Sequence, residues 1–238
     1  NSRPRDRAAK PTSSRTIPMN SRLTLETFNK ALTILAQCDP DLGAVIAKFG
    51  KPPIWRRPRG FETLVLLILE QQVSLASARA AYDRLAATAV ELAPEKMLTL
   101  RDDEYRAAGV SRQKTLYIRH LSDCILDRSL RLDGLGRMSD DDVRAHLMQI
   151  KGIGAWTADV YLLMALMRPD VWPVGDIALQ AAAHGIKGLD ARPNPDQLTE
   201  IGEEWRPWRS VAARILWHHY LSTPQFRTTG RPRITGRK

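Results

Sequence analysis

After residue 22, apolar residues recur at three- and four-residue spacing through almost the whole chain, and no stretch sustains the two-residue alternation of a half-buried strand. The pattern predicts an all-α protein. Thr24 is placed to cap a helix running to about Gln37, a shorter helix follows near 41–49, and the proline-rich KPPIWRRPRG (51–60) reads as a connector. The run FETLVLLILE (61–70) is apolar nearly all round, the mark of a centrally buried helix. A polar island, QQVS (71–74), separates it from a second helix expected to reach about Leu85. Gly109 ends a segment, Ser111 caps a helix to about Asp127, and Ser139 caps DDDVRAHLMQI, whose three leading acids suit a helix N-terminus. Beyond it lie a helix from about Ala155 to Met167, the loop RPDVWPVG, a helix opening at Asp176 or Ile177, and a last long helix with Pro207 in its first turn. No internal repeat is evident.

With 238 residues, 43% of them hydrophobic, the chain can bury a sizeable core. No run reaches the eighteen apolar residues of a membrane span and no apolar secretory core opens the chain, so a cytosolic, nucleoid-associated setting is expected, or a nuclear one in a eukaryote. The first residue is Asn1 rather than Met, and Met19 is expected near the start of the folded part. The formal charge of +10 comes almost wholly from the ends: residues 1–20 carry five basic residues and one acid, residues 225–238 five basic residues and none. Both are expected to be solvated, disordered tails that lend nonspecific phosphate attraction. Between them 26 basic face 25 acidic residues, so net charge there identifies no ligand. Cys38 and Cys124 are too few and too far apart for a disulfide framework and read as reduced thiols.

Chemistry concentrates in IKGIGAWTA (150–158). Without a Cβ, Gly152 and Gly154 can each take positive φ and admit a close backbone, while a helix starting at Ala155 offers unpaired N–H groups to an anion. A DNA phosphate fits that end, with Lys151 adding charge, although GxG alone also describes an ordinary tight turn between packed helices.

Here the residues resemble a known family. IKGIGAWTADVYLLMAL (150–166) is similar to the helix-hairpin-helix of the DNA glycosylase superfamily, and VGDIALQ (174–180) to the loop bearing its catalytic aspartate. FETLVLLILEQQVSLASARA (61–80), AGVSRQKTLYI (108–118), GAWTAD (154–159) and WRPWRSVAARILW (205–217) resemble the alkylpurine, or 3-methyladenine, DNA glycosylase II family, and the likeness spans about residues 60–220. Ile150 and Lys151 depart from the usual Leu and Pro; the glycines are kept.

The resemblance implies two helical lobes around a cleft: one over 60–135, the other over 136–224 joined by the early helices at 21–59. It implies removal of alkylated purines of the 3-methyladenine or 7-methylguanine type from double-stranded DNA, by a monomer that flips the nucleotide out of the duplex. Asp176 is the candidate catalytic carboxylate, which would stabilise positive charge developing on the deoxyribose; locally it also reads as a helix N-cap, and the two roles are compatible. Trp156 and Trp217 are candidates for stacking on the cationic base, or else packed core. Gln72 resembles the inserted wedge and Ser74 a DNA contact, with a plain polar loop as the alternative. Lys151, Gly152, Ile153, Gly154 and Thr157 complete the DNA-binding set. Arg112 and Lys114, at the start of a helix, are placed to touch phosphate, with solvated surface charge as the preferred reading.

Relatives that also cut the strand carry a lysine two positions after the last hairpin glycine; Trp156 stands there, so no lyase step is expected. Two cysteines exclude a four-cysteine iron–sulfur cluster, and neither histidine spacing nor an HExxH pattern marks a metal site. No cofactor is required on this reading, with room for a sodium or potassium ion at the hairpin carbonyls. Two other readings remain at this point: a noncatalytic DNA-binding module, and a glycosylase for oxidised or mismatched bases.

Overall fold

Caps and apolar faces set the elements in the computed structural model, which describes residues 21–224; the basic tails at 1–20 and 225–238 lie outside those residues. The first half comprises α1 (Leu25–Cys38), α2 (Pro40–Phe49), α3 (Phe61–Glu70), α4 (Leu75–Ala89), α5 (Pro94–Thr99), α6 (Asp102–Ala107) and α7 (Arg112–Leu126). The second comprises α8 (Asp140–Met148), α9 (Ala155–Met164), α10 (Ile177–Lys187), α11 (Pro195–Glu203) and α12 (Arg209–Ser222). Thr24, Asp39, Ser74, Ser111, Ser139, Asp176 and Asn194 each accept a backbone N–H of the first turn that follows, so seven helices start where a side chain satisfies an otherwise orphaned donor.

Several helix ends differ from those expected of the sequence. Helix α4 runs on through four further residues, Ala86 to Ala89, because that alanine-rich segment continues the helix and buries Ala89. Helix α9 stops at Met164 rather than Met167: the Ala165 and Leu166 N–H groups both turn back to the Tyr161 carbonyl, and Met167 takes φ 59°. Pro207 lies before α12 and not within its first turn, since Trp208 folds back to the Trp205 carbonyl and the helix opens at Arg209.

One continuous apolar cluster runs through the molecule. Seven of the ten residues of α3 are buried, and this helix packs on α4, α7 and α9. Every residue of α12 from Ser210 to Trp217 is buried, against α1, α2 and α10. Two buried polar side chains knit these groups together. The Arg214 guanidinium, 0% exposed, donates to the carbonyls of Ile54, Ser210 and Leu163, tying α12 to the proline-rich connector and to the end of α9. With carbonyls and no carboxylate around it, burial lowers its pKa to about 9. Asp39 caps α2 with one oxygen, and with the other accepts from Lys187 of α10 and from the Trp205 indole, at 2.8 and 2.7 Å.

Candidate active site

Three helices deliver donors to one carboxylate. Asp176 is the N-cap of α10, and its Oδ1 accepts from the Leu179 N–H at 2.9 Å. The same oxygen accepts from Trp217 Nε1 of α12 at 3.1 Å, while Oδ2 accepts from Trp156 Nε1 of α9 at 2.8 Å. The carboxylate is nearly buried, whereas Gly175 and Ile177 on either side of it are exposed. The capping reading of Asp176 is met in this geometry. Trp156 and Trp217, expected as stacking surfaces, each also fix the rotation of the carboxylate through an indole N–H, a role their sequence positions did not reveal.

The glycine turn between α8 and α9 lies beside this group. Ile150 and Ile153 point inward, each 4% exposed, and the Ile153 N–H closes the turn onto the Ile150 carbonyl at 2.9 Å. Gly152 takes φ 90°, and a Cβ there would lie 2.1 Å from the Tyr117 ring, so a glycine is demanded both by backbone and by space. Gly154 does not follow the expectation of positive φ: it is extended at φ −97° and leaves open space around its missing Cβ. No side chain caps α9, which begins with exposed Gly154 and Ala155, and Lys151 is exposed next to them. The arrangement leaves the α9 N-terminal amides for an anion approaching from outside. Thr157 and Ile153 cannot offer side chains to that anion; Thr157 is 2% exposed and, like Ile153, contributes from beneath.

A bracing network not foreseen from the sequence holds the turn from α3 and α7. Gln71 Nε2 donates to the Gly152 carbonyl at 2.8 Å and to Thr157 Oγ1 at 3.1 Å. Lys114, expected on the solvated surface, instead donates through Nζ to the Leu69 and Gln71 carbonyls and so closes the C-terminal end of α3; burial lowers its pKa. From α7, His120 Nδ1 accepts the Lys151 N–H at 3.1 Å. Arg144 of α8 donates to Asp159 of α9 at 2.6 Å, which locks the two hairpin helices together. The signal was present as a stripe at helical spacing, Gln113, Tyr117, His120 and Cys124, on one face of α7.

Gln72 sits at the tip of the α3–α4 turn, exposed and at φ 58°, flanked by exposed Val73 and Leu75. Its backbone is therefore one residue from Gln71, which grips the hairpin. Ser74, exposed in the same turn, caps α4 by accepting from the Ser77 N–H at 3.1 Å, and its hydroxyl lies 2.8 Å from Ser77 Oγ.

The sequence profile of the HhH-GPD superfamily of base excision DNA repair proteins matches residues 65–207. A Mycobacterium tuberculosis protein named "Probable bifunctional transcriptional activator/DNA repair enzyme AlkA" is 33% identical over 82% of this chain, which covers 40% of that relative. The Escherichia coli DNA-3-methyladenine glycosylase 2 is 26% identical over 76% of this chain and 67% of its own length. The crystal structure of a DNA-3-methyladenine glycosidase from Bacillus halodurans superposes with a TM-score of 0.65 at 33% identity, covering 80% of this chain and 87% of that one. A Schizosaccharomyces pombe 3-methyladenine DNA glycosylase in complex with abasic DNA shares the fold, with a TM-score of 0.69 at 24% identity over 79% of this chain and 95% of that one.

Proposed function

Because the chain belongs to the HhH-GPD superfamily of base excision DNA repair proteins, we propose that it hydrolyses the N-glycosidic bond of alkylated purines, 3-methyladenine or 7-methylguanine, in double-stranded DNA. The observation that carries the reading is the Asp176 carboxylate, held by three N–H donors beside a glycine turn with uncapped helix amides.

The chemistry follows from charge. Breaking the bond between an alkylated base and deoxyribose leaves positive charge on the sugar, and the base, already cationic, departs without an acid to protonate it. A carboxylate whose orientation is set before the reaction stabilises that charge with no reorganisation at the moment of bond breaking. The α9 amides and Lys151 take a phosphate of the lesion strand. Gln72, with Val73 and Leu75, enters the stack where the nucleotide has left, at a cost of a few kcal/mol in lost pairing and stacking. The ring face of half-buried Trp156 borders the extruded base, a cation–π contact contributing about 0.5–2 kcal/mol, while buried Trp217 acts through its indole N–H on Asp176. Water completes the reaction, giving an abasic site and free base. Backbone carbonyls of the turn, among them that of Gly152, which also accepts from Gln71, are the donors that a sodium or potassium ion would need there.

Release of free base from oligonucleotides that each carry one alkylated purine tests the proposal. The native protein is expected to release base and Asp176→Asn to lose nearly all activity while still binding the duplex. Equal release by both, or none from any alkylated purine, overturns it.

A further inference from the structure

We propose that the concavity between α6 and α7 is a phosphate-binding site, separate from the hairpin. It encloses about 360 Å3 and is lined by Asp102, Arg106, Ser111, Arg112, Thr115 and Arg119, with Val110 and Leu116. Three guanidiniums thus face a single carboxylate, and that carboxylate is already matched: Asp102 Oδ1 lies 2.7 Å from Arg119 Nη1. Arg119 is also held by the Leu100 carbonyl at 2.8 Å and stacks over the Tyr105 ring at 5.3 Å, so it forms a rigid wall. Arg106 and Arg112 are exposed, and among the described residues neither guanidinium has a hydrogen-bond or ion-pair partner. The neighbouring acids do not compete for them, because Asp103 and Glu104 are engaged by Arg101.

Helix α7 opens into this space with no acid in its first turn, so its dipole adds to the positive field. The Ser111 hydroxyl accepts from the Lys114 N–H and keeps its own proton to donate. Planar guanidiniums flanking a hydroxyl are suited to a tetrahedral oxyanion, which two arginines can grip by paired N–H donors. The same helix carries Tyr117 and His120 against the hairpin, about 8 and 12 Å further along its axis from Arg112. The phosphate has two possible sources at that distance: the backbone of a duplex already held by the hairpin, or a free phosphate-bearing molecule. The first rests on the DNA reading above; the second does not.

The test compares the native chain with the double variant Arg106→Gln/Arg112→Gln. Binding of an undamaged duplex is measured over a series of salt concentrations, and inorganic phosphate is titrated calorimetrically into each protein. If the backbone is the ligand, the slope of log affinity against log salt falls in magnitude by about 0.9 for each phosphate that the variant leaves unneutralised. If the ligand is free, the slope holds while phosphate binds the native chain and not the variant. An unchanged slope together with no difference in phosphate binding overturns the site. Base release at saturating protein reports on the glycosylase reading alone and is expected to be equal in both proteins, so the two can fail independently.

Discussion

At the scale of single residues, the site rests on hydrogen bonds to one carboxylate. A hydrogen bond to a charged group contributes about 1.5–3 kcal/mol, so if the indole donors matter chiefly in the transition state, Trp156→Phe should slow single-turnover base release roughly 10- to 100-fold. The longer Trp217 contact predicts a smaller loss for Trp217→Phe. Rates unchanged in both variants would remove the donors from the mechanism. Trp156 also fills the position where a Schiff-base amine would stand, and borohydride added during turnover is expected to trap no covalent adduct with DNA; a trapped adduct would point to a lyase. Sequence made Asp176 and both tryptophans legible as candidates, because the GD pair and the two indoles fall in recognisable surroundings. What joins them was not legible: Trp156 and Trp217 are 61 positions apart and meet at Asp176 only through the packing of α9, α10 and α12. Gln71 was overlooked for a related reason, since its partners at Gly152 and Thr157 lie more than 80 positions away.

At the scale of elements, the two hairpin glycines have become physically distinct. Gly152→Ala places a methyl group inside the Tyr117 ring and strains a positive φ, so both duplex affinity and melting temperature should fall, with part of the stability restored when Tyr117→Ala is added. Gly154→Ala meets open space at an ordinary φ. It should leave the melting temperature nearly unchanged and weaken duplex binding only if the strand approaches that backbone closely; a large loss of stability in Gly154→Ala would contradict the described turn. Helix boundaries were readable where a capping Ser, Thr or Asp preceded an apolar run, as at Thr24, Ser111 and Ser139. The six-residue α5 and α6 were not, because one or two turns give too few repeats for a period to emerge. The overrun of α9 has the opposite cause: the apolar sequence continues past Met164, and only backbone bonds back to Tyr161 and Leu162 end the helix.

At the scale of the whole molecule, Asp39 links the N-terminal helices to the C-terminal ones. Burial pushes its carboxyl pKa up, but hydrogen bonds from Lys187, Trp205 and the Leu42 N–H outweigh that and hold it below the usual aspartate value. A depressed folded-state pKa contributes stability that is complete above the unfolded value, about 3.9, and is lost as pH falls from there through the folded value. Melting temperature should therefore drop below about pH 4. Asp39→Asn should melt roughly 5 °C lower at neutral pH, from about 1.5 kcal/mol lost with the charge-assisted bond to Lys187, which keeps Asp41 as a partner, and show a shallower acid decline. An acid limb as steep as the native one would place the titration elsewhere. The convergence on Asp176 has a further consequence for how the chain behaves while it is incomplete. A carboxylate aimed by groups from three separate helices is fully aimed only when the last of them docks. On the proposed glycosylase reading, nascent, heat-loosened or clipped forms would cleave glycosidic bonds more slowly than the finished fold, and a genome would be spared many of the abasic sites that a half-built form could leave in it.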